Sequence, residues 1–332
     1  VAQGVGPLTG PSGRPHPEEV SLPPLLRLCR PKQWVKNLLV FAAPAAAGVL
    51  SLREPEALLE SIAAFVAFTL VASGTYCFND VADREADRRH PSKKDRPVAS
   101  GAVSVSTAVA LGAVLLVAGI VVAVLVQWQL GVVVAAYVVV TTSYSRWLRH
   151  VVLLDLVAIA AGFVLRALAG GAATEVPISD WFFIVTTFGS LFVAAGKRSG
   201  ELADLDDLGQ GLVPALRTDD PAPAGAPVAP ATTRSTLSLY TPSYLAYLRA
   251  TCGGVMLVAY CLWAFEKAAE ADLSVPLFQA SIVPFALAVL QYALILDGGG
   301  GGTPEQVFLK DRMLQLYGLI WAVVFGLGLA LS

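Results

Sequence analysis

Apolar residues in this chain gather into blocks of about 20, the length that carries an α-helix across the hydrocarbon of a bilayer. Polar connections separate them, and nine such blocks can be drawn: 35–52, 57–78, 104–126, 129–147, 151–172, 180–197, 247–267, 276–296 and 312–331. The blocks show no period-2 alternation, and backbone facing lipid must satisfy its own hydrogen bonds, so they read as helices and not as barrel strands. The expected fold class is all-α: a polytopic membrane protein with about nine transmembrane helices. Two stretches break the rhythm. Residues 1–24, rich in Pro and Gly and without an apolar core, read as a disordered tail and not as a cleaved signal peptide. Residues 25–332 then form one transmembrane domain. Within it 201–240 is a polar connection carrying Pro-Ala-Pro-Ala-Gly-Ala-Pro at 221–227, mobile by composition. The five glycines at 298–302 read as a flexible loop.

Composition sharpens the class. Of the 332 residues 55% are hydrophobic and only 14% charged, against about a quarter charged in soluble domains. A water-soluble enzyme and whole-chain disorder are both excluded. A net charge of −2 gives no general attraction to nucleic acid. Cys29, Cys77, Cys252 and Cys261 lack metal-type spacing and read as small packing residues. Lysines and arginines are distributed unevenly. Only Arg53 and Lys267 fall at connections after odd-numbered spans, and Arg166 lies inside one; all the others lie in the N-terminal segment or around the connections after spans two, four, six and eight. By the positive-inside rule those parts face the cytoplasm and the C-terminus lies outside.

The chemistry is concentrated at the cytoplasmic end of the second span, in Asn79-Asp80-Val81-Ala82-Asp83-Arg84-Glu85-Ala86-Asp87. If the helix continues, Asn79, Asp83 and Asp87 recur every fourth residue and line one face, with Asp80 beside them. Such a face repels itself unless a cation sits against it. Oxygen ligands on few rigid positions suit Mg²⁺, which completes its shell with water and substrate phosphates. A solvated helix end is the competing reading, since Asp80–Arg84 and Glu85–Arg89 could pair at i, i+4; the cost of carboxylates where a helix enters a membrane favours the metal.

Basic groups collect on the same side: Lys36 at the start of span one, Lys93 and Arg96 after the acidic motif, Arg149 after Tyr144, and Lys197 and Arg198 ending span six. Each alone is an ordinary interfacial anchor. Together they suggest a pocket for a highly phosphorylated ligand bridged by Mg²⁺. Inside the spans, Asp155 and Arg166 are the costly residues; eleven apart on one helix, they share a face but cannot pair directly. Arg166 reads either as a ligand group or as a strut between helices. His16, His90 and His150 all lie outside the spans and none is assigned a catalytic role.

The Asn79–Asp87 stretch resembles the first aspartate-rich motif, Asn-Asp-x-x-Asp-x-x-x-Asp, of the UbiA superfamily of intramembrane prenyltransferases, and Arg96-Pro97-Val98-Ala99-Ser100-Gly101 is similar to the segment that follows it. The likeness runs from about residue 27 to the C-terminus. It departs at the second acidic motif, where Asp155 is followed at the fourth place by Ile159 and not by another aspartate. That departure resembles one actinobacterial branch, which makes decaprenylphosphoryl-5-phosphoribose. So do the segments 30–37, 189–201 and Leu165-Arg166-Ala167 with Ala169-Gly170-Gly171, and Pro304-Glu305 followed by Asp311-Arg312.

The resemblance implies transfer of 5-phosphoribosyl from phosphoribosyl pyrophosphate to decaprenyl or another polyprenyl phosphate, for arabinan synthesis in the cell wall. It implies Mg²⁺ as cofactor and an enzyme of the plasma membrane with its active site towards the cytoplasm. Asn79, Asp80, Asp83 and Asp87 are the expected metal residues, the three aspartates and Asp155 the expected catalytic ones. Lys36, Lys93, Arg96, Tyr144, Arg149, Arg166, Lys197 and Arg198 are the expected substrate-binding residues. Membrane lipid is an expected partner, nucleic acid is not, and a homo-oligomer is left open. The rival within the family is an aromatic prenyltransferase that uses a prenyl diphosphate. A transporter, the rival outside it, would show internal repeats and interrupted spans, and no convincing repeat is found.

Overall fold

The computed structural model describes residues 22–50, 55–90, 93–207, 236–271, 273, 275–299 and 304–332. Most of the expected tail, the middle of the 201–240 connection and Gly300–Gly302 lie outside the described residues. In chain order the α-helices are α1 (Pro24–Leu28), α2 (Ala42–Ala46), α3 (Glu56–Ala82), α4 (Arg84–Arg89), α5 (Val105–Val126), α6 (Trp128–Arg146), α7 (Leu154–Ala173), α8 (Asp180–Asp207), α9 (Pro242–Ala271), α10 (Leu277–Ala280), α11 (Ile282–Asp297), α12 (Pro304–Lys310) and α13 (Arg312–Leu331). Among the described residues there is no strand. The fold is all-α, and the protein is a multi-pass membrane protein.

Local chemistry sets several helix ends. Ser104 opens α5 by accepting from the Thr107 N–H at 3.1 Å, and Asp311 opens α13 by accepting from the Leu314 N–H at 2.7 Å, each satisfying an orphan donor of the first turn. Gln127, in extended conformation at φ −153°, separates α5 from α6. Among the described residues, seven helical stretches are long and apolar enough to cross a membrane: α3, α5, α6, α7, α9, Leu277–Asp297 and α13. Val117 and Leu125 on α5 and Leu319 on α13 are exposed, as lipid-facing side chains should be.

Two of the nine predicted spans take other forms. Residues 35–52 are not one α-helix. Arg30, at φ +53°, and Pro31 start a 3-10 helix over Pro31–Phe41, and α2 follows. This narrower coil runs so close to α7 that a Cβ on Gly170 would lie 1.8 Å from the Val40 carbonyl oxygen. The block 180–197 lies in α8, a 28-residue helix whose second half carries Lys197, Arg198 and Glu201, so only its first part is apolar.

One core joins α3, α5, α6 and α7 around Phe68, Val71, Leu130, Val134 and Tyr137; a second joins α8, α9 and α11 around Phe192, Met256, Tyr292 and Leu296. Close approach tightens the first: a Cβ on Gly74 would meet the Gly112 carbonyl at 2.8 Å, the small-residue packing that lets membrane helices touch. Between the two cores, α7 packs on the 3-10 helix, α6 and α8, and the cavities open there.

Candidate active site

The acidic motif keeps an almost unbroken helical course. Asp83 lies between α3 and α4 and donates its N–H to the Asn79 carbonyl at 2.9 Å, while the Asp87 N–H donates to Asp83 at 2.8 Å. What neutralises the face differs from the expectation. Asp80, 2% exposed, is bonded to Arg30, and Arg96 Nη1 lies 3.6 Å from it. The same Arg96 nitrogen donates to Asp87 Oδ2 at 2.7 Å, and Arg149 Nη1 lies 3.5 Å from Asp83 Oδ1. Arg96 reaches back because the segment after α4 folds into turns, tied by Arg27 to the Asp95 carbonyl at 2.9 Å and by Arg88 to the Ala99 carbonyl at 2.9 Å.

Among the described residues no three Asp, Glu, His or Cys side chains gather to hold a metal. The four expected metal residues are thus not equally placed: Asp80 and Asp87 are buried against arginines. In kind, the donors that remain do suit Mg²⁺. Asn79 presents an amide at the cavity described next and Asp83 a half-exposed carboxylate one turn on, and a hard cation that retains water and substrate phosphates needs few protein oxygens. His90 stands nearby; burial, with Lys93 adding to it, holds its imidazole below the ordinary pKa.

A cavity of about 190 Å³ opens beside Asn79. Lys36 enters from the 3-10 helix, Tyr76 and Asn79 from α3, Thr141, Tyr144 and Ser145 from α6, Ile159 and Arg166 from α7, and Lys197 from α8. The structure thus brings together five predicted residues: Lys36, Asn79, Tyr144, Arg166 and Lys197. Arg166, 5% exposed, donates to Asn37 Oδ1 at 2.8 Å, the Gly162 carbonyl at 2.6 Å and the Tyr137 hydroxyl at 2.8 Å. These acceptors are neutral, and among the described residues no carboxylate pairs with it. Its hydrogen bonds are satisfied by neutral groups while it lines the cavity.

Other predicted residues lie elsewhere. Asp155, fully buried, accepts from Arg198 Nε at 2.9 Å and from the Tyr240 hydroxyl at 2.5 Å. It is not among the residues that line this cavity. Arg198, 1% exposed, is bonded to Asp155, Glu201 and the Tyr144 hydroxyl and does not line this cavity. Arg96 and Arg149 pair with the acidic row and, like Lys93, do not line this cavity.

Sequence reasoning passed over Arg30, Asn37, Tyr137 and Tyr240. Arg30 and Asn37 flank Lys36 in the same basic segment, and a buried membrane arginine always asks for acceptors. Tyr240, at the end of a polar connection, gives no such signal.

A second cavity, of about 500 Å³, is apolar and lined by Leu39, Ala167, Val185, Phe192, Met256, Phe285, Val289 and Leu314 among others. It shares Lys36, Phe163 and Val193 with the first.

The model of the UbiA prenyltransferase family matches residues 38–310. The chain is 38% identical over 316 residues to the decaprenyl-phosphate phosphoribosyltransferase of Mycolicibacterium smegmatis, covering 93% of each. It is 36% identical to that of Corynebacterium glutamicum, covering 90% of this chain and 84% of the other. A UbiA homolog from Archaeoglobus fulgidus, solved bound to GPP and Mg²⁺, has the same fold at a TM-score of 0.63 and 16% identity, covering 93% of this chain and 99% of that one.

Proposed function

The chain belongs to the UbiA prenyltransferase family, and on that premise we propose that it transfers 5-phosphoribosyl from phosphoribosyl pyrophosphate to decaprenyl phosphate, releasing pyrophosphate and supplying cell-wall arabinan. One observation carries the reading. A polar cavity lined by Arg166, which pairs with no carboxylate among the described residues, meets an apolar groove at Lys36. An anionic head on a long apolar tail fits that junction, and the names of the relatives support the donor.

A polyprenyl phosphate is ionised near neutral pH, so its oxygen needs no strong protein base to attack the anomeric carbon. As that C–O bond forms, the bond to pyrophosphate breaks and charge gathers on the leaving group, while the ribose carbon turns partly cationic. The main catalytic task is to stabilise that charge. Lys36, Lys197 and Arg166 do so from the wall of a cavity set in apolar helices, where fixed cations act strongly. Tyr144 and Ser145 offer hydroxyls to the sugar. Arg149, Lys93 and Arg96 form a cationic rim that gathers the anionic donor. Asn79 and Asp83 would hold Mg²⁺, which when bound neutralises pyrophosphate. The site faces the cytoplasm, as the charge asymmetry implies.

Purified full-length protein given labelled phosphoribosyl pyrophosphate and decaprenyl phosphate should yield a labelled lipid in the presence of Mg²⁺. Incorporation only from prenyl diphosphate with 4-hydroxybenzoate would replace this reading with the aromatic prenyltransferase. Within the same assay, Lys36→Met keeps the side-chain stem but removes the charge at the junction. It should lower kcat/KM for the lipid about ten- to hundredfold, the worth of one charged hydrogen bond; an unchanged value would dismiss Lys36 as the phosphate contact.

A further inference from the structure

α7 starts without a side-chain cap of its own. Its N-cap is Leu153, at φ +68°, a conformation that a leucine seldom adopts. The Leu153 N–H, an orphan donor at the helix start, donates to the Tyr240 hydroxyl at 2.9 Å from 87 residues away. That hydroxyl in turn donates to Asp155 Oδ1 at 2.5 Å, so one phenol satisfies both the strained entry and the first-turn carboxylate. Burial and the Asp155 carboxylate raise the Tyr240 pKa, so the phenol keeps its proton.

Two arms run outward from this knot. Asp155 Oδ2 accepts from Arg198, whose Nη2 donates to the Tyr144 hydroxyl at 3.1 Å, and Tyr144 is on the cavity wall. Thr236, in the same returning segment, donates to the Arg149 carbonyl at 3.0 Å, and the Arg149 guanidinium faces Asp83. Leu237 and Leu245 pack with Leu156 and Leu202 beneath the segment, fixing it to α7 and α8. No residue of either arm lines the apolar groove.

We infer that Tyr240, seconded by Thr236, is a positioning residue for the donor half of the site: docking of residues 236–240 caps α7 and holds Tyr144 and Arg149 where the phosphoribosyl donor binds. The inference rests on the proposed transfer reaction and goes beyond it. The segment that returns from the cytoplasmic connection is then part of the catalytic framework and not a plain linker.

Tyr240→Phe in the full-length protein tests this, because it keeps the ring stacked on Tyr244 and removes only the hydroxyl. KM for phosphoribosyl pyrophosphate should rise about five- to tenfold, while KM for decaprenyl phosphate stays within about twofold, on the scale of one lost hydrogen bond acting on one substrate. Hydrogen–deuterium exchange should quicken in the peptide over 148–156. Thr236→Val should raise the donor KM in the same direction through Arg149 alone. Two unchanged KM values, or two that rise together with general loosening of exchange, would overturn the inference. Should the wild type transfer no label from phosphoribosyl pyrophosphate, the reaction reading falls. Exchange over 148–156 then still judges the latch: quickened exchange in Tyr240→Phe supports it and unchanged exchange overturns it.

Discussion

Asp83→Asn is expected to lower Mg²⁺-dependent transfer by about a hundredfold or more, the size seen when a preorganised group facing developing charge is removed. Insertion and thermal stability should hardly change. The side chain is half-exposed and its ion-pair partner, Arg149, stands 3.5 Å away; pairs of that kind contribute about 0–1 kcal/mol. Asparagine keeps the shape and one oxygen but removes the charge that opposes a divalent ion. Chelation should silence the wild type and take little further activity from the variant. Near-normal turnover of Asp83→Asn would end the assignment of this carboxylate to the metal.

Arg96→Leu is expected to have the reverse signature, in which stability falls first. Asp87 is 4% exposed and bonded to Arg96 at 2.7 Å, and Asp80, 3.6 Å from the same Arg96 nitrogen, retains Arg30. Removing one member of a buried pair leaves an uncompensated charge, at a cost of about 3–5 kcal/mol. The apparent melting temperature of the purified protein should drop markedly. The double variant Arg96→Leu, Asp87→Asn should recover most of the loss. If the single variant melts like the wild type, Asp87 is compensated by other means.

These two substitutions separate what the sequence merges. In the row of acids, Asp80 and Asp87 look the same as Asp83, since all three belong to one helical pattern. The difference lies in Arg30, fifty residues upstream of Asp80, and in turns that bring Arg96 back onto Asp87. Pairings over such distances have no local signature. The spans were legible because bilayer thickness imposes a length that composition reveals directly. The 3-10 helix Pro31–Phe41 was not, since its narrow course depends on how closely Val40 approaches Gly170 across the bundle. Lys36, Asn79, Tyr144, Arg166 and Lys197 could be picked out because charged or polar groups near lipid must serve something. Tyr240 could not, since an aromatic residue before a helix is ordinary until its hydroxyl is seen beneath Leu153.

The shared wall at Lys36, Phe163 and Val193 has a consequence for inhibitor design. A bisubstrate molecule that joins a diphosphonate warhead to an alkyl chain would occupy both compartments at once and avoid paying twice for immobilisation. Lengthening its chain should tighten binding by roughly 0.8 kcal/mol per methylene, and that gain should stop once the 500 Å³ groove is filled.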